Sequence, residues 1–300
     1  MPTRVESDAV IVGAGPAGST LAALLARDGW RVVLLDATEF PRQKICGEHL
    51  SATTLPLLDR LGVRETIERE AIPVRSHAIV LPGGRRLSVR FAPHGAPAIA
   101  ISRYRLDQLL VERAANAGAI VIESHRVREV IVEHGAVCGV IAHRTGLRSQ
   151  SKTFRAHLTI AADGRRSIVA RRVGNSMRYG RALIGFNRHF RSDGQLLHAV
   201  TVPGALTMFS LPGGYIGASI VEDGSLNLCG VVPAKLVRSG GRSIHDTLYG
   251  WARSHRELQS VLEHDEPGGW LTMADVSTQW STPAKPGVLF IGDALATIDP

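Results

Sequence analysis

The first apolar stretches of the chain alternate with polar breaks in a strand, helix, strand order. Residues 8–12 read as an apolar strand that runs into glycines. Residues 19–27 are rich in alanine and leucine and stop at Gly29, as a helix does. Residues 31–35 are apolar and β-branched again, giving a second strand within about thirty residues of the first. Further on, residues 55–61 predict a short helix ended by Gly62, and residues 78–91 alternate around Pro82-Gly83-Gly84 as a hairpin does. A helix is expected over 106–117 with Gly118 as its stop, then strands over 120–142 with a turn at His134-Gly135. Residues 158–162 predict a short strand, 167–172 a helix stopped by Gly174, 243–262 a helix and 287–291 a last buried strand. Between 183 and 232 the pattern changes to strand-like pieces separated by Pro203-Gly204, Pro212-Gly213-Gly214 and Asp223-Gly224, which predicts an antiparallel sheet.

The junction of the first strand and helix carries chemistry. Gly13-Ala14-Gly15-Pro16-Ala17-Gly18 matches G-x-G-x-x-G, and it gains specificity from its place after a strand and before a helix. Gly13 permits the tight turn, Gly15 lets backbone approach a pyrophosphate, and Gly18 allows close packing of helix on strand, while amides at the helix start face phosphates. Asp36 ends the second strand, eighteen positions after Gly18. Its carboxylate suits a ribose 2′-hydroxyl and repels a 2′-phosphate, which disfavours NADP at this position. NAD and FAD both satisfy these residues.

Composition narrows the class. Three hundred residues predict two cores, and 44% hydrophobic with 21% charged residues is ordinary for a soluble globular chain. No run reaches the roughly 20 apolar residues of a membrane span, and the N-terminus lacks the charge and length of a signal peptide, so the expectation is cytoplasmic. Cys46, Cys138 and Cys229 are far apart with no C-x-x-C pair, which fits a reducing compartment and argues against structural zinc. The net charge of +8 comes from arginines spread along the chain, so no nucleic-acid partner is expected. The chain has no nucleophile elbow, H-E-x-x-H or Walker loop, and its twelve histidines do not pair at ligand spacing. His49, His94, His189 and His198 read most simply as surface or core residues, and one that faces a bound cofactor would be a candidate for proton transfer by side-chain chemistry only.

Two later segments complete a pattern. Ala161-Ala162-Asp163-Gly164-Arg165-Arg166-Ser167 and Ile291-Gly292-Asp293-Ala294 each follow an apolar strand. In order with the glycine loop, they resemble the three signatures of the FAD-dependent monooxygenase superfamily that includes p-hydroxybenzoate hydroxylase, over nearly the whole chain. An aspartate just past a strand end can bond a sugar or ribityl hydroxyl. Phe40 through Ser51, with Arg42 and Cys46-Gly47, is similar to the segment after the second strand in geranylgeranyl reductase-like flavoproteins. The resemblance implies an α/β chain with a Rossmann-like FAD domain (1–75, 101–180 and 281–300) and a mostly antiparallel substrate-sheet domain (76–100 and 181–280), with the reaction between them.

It also implies cofactor contacts from Gly13, Ala14, Gly15, Pro16, Ala17, Gly18, Asp36, Arg42, Cys46, Gly47, Arg103, Val127, Asp163, Gly164, Gly292 and Asp293. Cys46 would border the isoalloxazine ring, or else it is a buried inert cysteine. The implied cofactor is FAD, with NADH or NADPH as transient reductant and a small organic molecule as substrate. Hydroxylation is the first activity expected and reduction of a carbon–carbon double bond the second. Residues 211–217 lack the tryptophans of the halogenase segment, which weighs against halogenation, and they also lack the pattern of geranylgeranyl reductases proper. The family continues past Gly292-Asp293 with a glycine-rich turn and helix, so the flavin half of the site is expected to be incomplete, and an inactive or fragmentary FAD-binding protein is a further reading.

Overall fold

The computed structural model describes residues 4–90, 97–146, 150–175, 177–180, 182–191, 194–238, 243–263, 269–274, 276, 278–280 and 282–297. The chain divides into two compact units, one formed by Met1–Gln43, Tyr104–Gly180 and Ser277–Asp299, the other by Lys44–Arg103 and Arg181–Val276.

The first unit is built on a parallel sheet. Its strands run in the order Ala284–Lys285, Val288–Phe290, Ser151–Ala161, Arg4–Val12, Val32–Leu35 and Ile120–Ile122. All pairs from Val288–Phe290 to Ile120–Ile122 are parallel. Strand Val32–Leu35 is buried at every position, which explains its unbroken apolar run: a strand covered on both faces has no polar side. The strands His125–Glu133 and Ala136–Arg144 add an antiparallel extension to Ser151–Ala161. Helix Pro16–Arg27 starts earlier than its apolar pattern, because Pro16 at its first turn has a fixed φ and needs no amide partner.

The second unit carries a seven-stranded sheet, ordered Leu271–Ala274, Leu183–Phe190, Leu226–Pro233, Gly214–Ile220, Ala205–Leu211, Ser76–Val80 and Arg86–Arg90. Every pair is antiparallel except Ala205–Leu211 with Ser76–Val80. Period-two alternation splits its faces. Phe186, Phe190, Phe209, Leu211, Ile216, Ala218, Leu226 and Leu228 point to a core shared with Leu248, Leu258, Val261 and Leu262 of the helices Ile244–Trp251 and Arg256–Glu263. Asn187, His189, Tyr215, Asn227 and Cys229 therefore belong to the other face.

The mixture of a parallel and an antiparallel sheet is the α/β class expected from sequence. Three local expectations are adjusted. The helix over 243–262 is two helices, broken where buried His255 bonds the Ser210 carbonyl at 3.0 Å. Within 183–232 lies a helix, Gly194–Val200, among the strands. Residues 44–75, grouped by sequence with the nucleotide-binding segments, pack in the second unit, because strands His49–Leu50 and Ile72–Val74 pair with Ala98–Ala100 there. The same division leaves residues 278–280 in the first unit.

Candidate functional site

The glycine loop sits at the carboxyl end of strand Arg4–Val12. Gly13 has φ +102°, a left-handed conformation that L side chains avoid, and its amide donates to the Leu35 carbonyl at 2.7 Å. A Cβ on Gly13 would overlap the Ala162 carbonyl, and one on Gly18 would overlap the Gly13 carbonyl. Both glycines are thus required by backbone packing of loop on helix on neighbouring strand. Gly15 is the N-cap of helix Pro16–Arg27, and no side chain caps that first turn. Its amides keep the positive end of the helix open to an anion, and here the fold fits a pyrophosphate.

Asp36 closes the loop from the second strand. Its Oδ2 accepts from the Ala14 amide at 2.9 Å, while Oδ1 accepts from the Thr38 amide and hydroxyl at 3.0 and 2.7 Å. Arg42 bonds Asp107 Oδ2 through Nη1 at 2.9 Å and lies 3.6 Å from Asp36 Oδ2. Its guanidinium stacks 4.6 Å over the Phe40 ring. Asp107 is completely buried on helix Arg103–Asn116 and is not among the residues that sequence reasoning singles out. A carboxylate on the apolar side of an expected helix is the signal that could have found it. The Nε of Arg42 is buried with no protein partner, the kind of donor that a cofactor oxygen satisfies.

The second and third motifs converge on this loop. Ala162 donates its amide to the Val12 carbonyl at 2.8 Å, which puts Asp163 and Gly164 at the end of the adjacent parallel strand. Gly292, with φ +56°, would place a Cβ 2.8 Å from that of Ala17 on the first turn of the loop helix. Three motifs far apart in sequence therefore meet at the carboxyl ends of neighbouring parallel strands, where open α/β sheets bind ligands. Asp163 also holds the local backbone. Its Oδ2 accepts from the Ile168 amide at 2.7 Å at the start of helix Ile168–Arg172, and burial raises its pKa. The other oxygen, Oδ1, is buried without a protein partner. Asp293 is exposed in the turn Gly292–Ala294. Val127 is a core residue at 4% exposure, so only its backbone could meet a ligand.

In the second unit, residues 45–49 cross the polar face of the large sheet. The Cys46 carbonyl accepts from Asn187 Nδ2 at 3.4 Å and from Asn227 Nδ2 at 3.2 Å, and these two asparagines also bond each other. Ile45 lies over Gly185. Glu48 reaches His189, and His49 reaches His77 with their Nε2 atoms 3.3 Å apart. Burial lowers the pKa of both His49 and His77, with His77 adding to the effect on His49. Burial raises the pKa of the Tyr215 hydroxyl on the same face, and drives the Cys229 thiol far above its usual range. Gly47 is exposed and Arg103 begins its helix partly buried. Of the other histidines, His198 is exposed and His94 lies outside the described residues. Among the described residues no cluster of three metal-ligating side chains occurs, and no helix is long and apolar enough to cross a membrane.

Parallel strands ending in a glycine loop, an acid after the second strand and two further strand-end motifs define the class: a flavoprotein with a Rossmann-like FAD-binding fold. Residues 6–195 match the family described as FAD binding domain, and the chain belongs to that family. It is 27% identical over 97% of its length to tryptophan 2-halogenase of Chondromyces crocatus, and spans 56% of that protein. It is 28% identical over 99% of its length to menaquinone reductase of Mycolicibacterium smegmatis, spanning 72% of it. Among solved structures, a myxobacterial chondrochloren halogenase superposes with a TM-score of 0.84 at 22% identity, covering 99% of this chain and 70% of that one. The chain thus carries an FAD-binding domain and spans little more than half the length of the first of these relatives.

Proposed function

We propose that the chain uses FAD, reduced by NADH or NADPH, to reduce a carbon–carbon double bond in a small organic substrate. The observation that carries this reading over hydroxylation is the anchoring of Cys46-Gly47-Glu48 on the substrate sheet by Asn187, Asn227 and His189. That segment is the one that resembles geranylgeranyl reductase-like flavoproteins, and the likeness to menaquinone reductase extends over 99% of the chain.

In this reading the uncapped turn at Gly15 and the Arg42 guanidinium bind the diphosphate, and Asp36 orients the loop and the ribose. Cys46 and Gly47 border the ring edge, and Arg103 adds a further contact. FAD, when bound, supplies a ring that accepts and donates hydride. The chain's own residues bind and orient it, and the sheet face with Tyr215 and Cys229 shields the substrate from water.

Hydroxylation is the second reading, favoured by the superfamily's three strand-end motifs. Similarity to halogenases makes halogenation a third arm of the test, although the turn between strands Ala205–Leu211 and Gly214–Ile220 contains no tryptophan. The experiment is an absorbance spectrum of the purified protein, followed by anaerobic NADH or NADPH and then an alkenyl quinone. Reoxidation of flavin without air is expected, with the pair of hydrogens added across the side-chain double bond and the product still recovered as a quinone after air oxidation. A product whose side chain is unchanged refutes double-bond reduction. A requirement for oxygen with insertion of an oxygen atom establishes hydroxylation, and a requirement for oxygen with chloride or bromide establishes halogenation. Absence of flavin bands after incubation with FAD refutes the proposal.

A further inference from the structure

Glu48 is a tightly constrained charged residue outside the glycine-loop site. Its side chain is wholly buried, and its backbone has φ +56°, a conformation that costs energy for any residue but glycine. Four bonds hold it there. Oε1 accepts from the Arg103 amide at 2.9 Å and Oε2 accepts from His189 Nε2 at 2.6 Å. The Glu48 amide donates to Cys46 Sγ at 3.3 Å, and its carbonyl accepts from the Ile101 amide at 3.1 Å. A second carboxylate, Glu222, accepts from the Ser102 amide at 2.7 Å and from the Ser102 hydroxyl. Two successive amides, of Ser102 and Arg103, are therefore each held by a carboxylate from a different part of the chain.

A buried carboxylate is tolerated only where its charge is compensated. His189 is the compensating group. Burial on its own would lower the histidine pKa, but the hydrogen bond and charge of Glu48 outweigh it, with Asp223 and Glu222 adding to the rise. Asp223 is itself paired with Arg191 at 2.8 Å, which leaves Glu48 as the carboxylate in direct contact with the ring. The thiol of Cys229, on the same sheet face, also feels the Glu48 charge.

We propose that Glu48 is a positioning residue that locks the Cys46-Gly47 turn and Arg103 into one piece, and that protonated His189 is the latch. The sign follows from linkage. His189 holds its proton more tightly folded than unfolded, so its contribution is complete below about 6.5 and is lost as pH rises through the folded value. The turn and the Arg103 amide should then loosen together on the alkaline side. This inference rests on the proposed function only where it concerns turnover.

Hydrogen exchange with mass readout, on the full chain incubated with FAD, tests it across a pH series corrected for intrinsic exchange. In the wild type, peptides covering 44–50 and 101–105 should lose protection together as pH rises past the His189 titration, while the helix at 16–27 does not. Glu48→Gln and His189→Gln should each speed exchange in both peptides about tenfold and abolish the pH dependence. The double variant should add little to either single one. NMR titration of the His189 imidazole should show a value above about 6.5 that falls in Glu48→Gln. Wild-type protection in both single variants, or a wild-type His189 value at or below about 6.5, overturns the proposal; the titration stands even where Glu48→Gln does not fold. If the chain turns over as proposed, kcat should fall on the alkaline side in the wild type and lose that limb in His189→Gln. Missing flavin bands alongside coupled protection of the two peptides would count against the proposed function alone.

Discussion

Substituting Gly18 by alanine separates helix propensity from packing, because the two effects have opposite signs. In an unconstrained helix interior, glycine to alanine gains about 1 kcal/mol. Gly18 lies in helix Pro16–Arg27, yet an added Cβ would overlap the Gly13 carbonyl and stand 3.1 Å from the Ala162 Cβ. Gly13 cannot yield easily, since its amide is bonded to the Leu35 carbonyl at 2.7 Å and its own Cβ position is filled by Ala162 backbone. Overpacking of this kind costs about 1–3 kcal/mol and more where backbone must move. We expect Gly18→Ala to destabilise by about 3 kcal/mol, a fall of about 6–12 °C in Tm, and to reduce FAD content after purification. Gly250→Ala is the control: it lies in helix Ile244–Trp251 with nothing within 4 Å of the new Cβ, so it should gain up to about 1 kcal/mol. Gly29→Ala isolates the conformational cost alone, since φ is +88° and the space is open, and should lose about 1–2 kcal/mol. Thermal melts of the three variants with flavin absorbance at matched protein concentration are sufficient. A Gly18→Ala protein as stable as Gly250→Ala, with undiminished flavin, would refute the packing of loop on strand described above.

Arg42→Ala removes a guanidinium from fully buried Asp107, and we expect a loss of about 3 kcal/mol in urea unfolding that Asp107→Asn in the same chain largely restores; strict additivity of the two would contradict the pairing. Burial raises the Asp163 pKa, so the folded state binds its proton more tightly than the unfolded state, and this group makes stability fall as pH rises from its unfolded value through its folded one. Asp163→Asn should flatten that part of the acid stability profile while keeping an oxygen for the Ile168 amide; an unchanged profile would show that the carboxyl is not the titrating group. Cys229, whose thiol is held protonated by burial, should resist alkylation in the native protein at about pH 8 and react only on unfolding, read by peptide mapping. Its rapid native modification would mean that the sheet face is open where the structure half-buries the thiol.

The parts of this molecule legible in its sequence are those fixed by neighbours within about twenty residues. The glycine loop, Asp36 and the hairpin at Pro82-Gly83-Gly84 each follow from local spacing, and the two later motifs can be placed at strand ends by the same means. Their convergence is a consequence of parallel pairing: once strands Arg4–Val12, Ser151–Ala161 and Val288–Phe290 lie side by side, their carboxyl ends share one edge. The Glu48 anchor cannot be read that way. Glu48 and His189 are separated by 141 positions and meet only because an antiparallel sheet turns one face of strand Leu183–Phe190 toward residues 45–49. A trace of it does exist in the alternation of that strand. Ile184, Phe186 and Phe190 belong to the apolar core side, while Gly185, Asn187 and His189 alternate with them, and Asn187 is nonetheless buried. A strand whose second face carries polar side chains that are also buried must have something polar laid across it. That requirement identifies the need for a partner segment, and only the tertiary fold identifies the segment as Cys46-Gly47-Glu48. Residues 44–75 likewise pack with the second unit, and their local pattern carries no mark of the sheet that receives them.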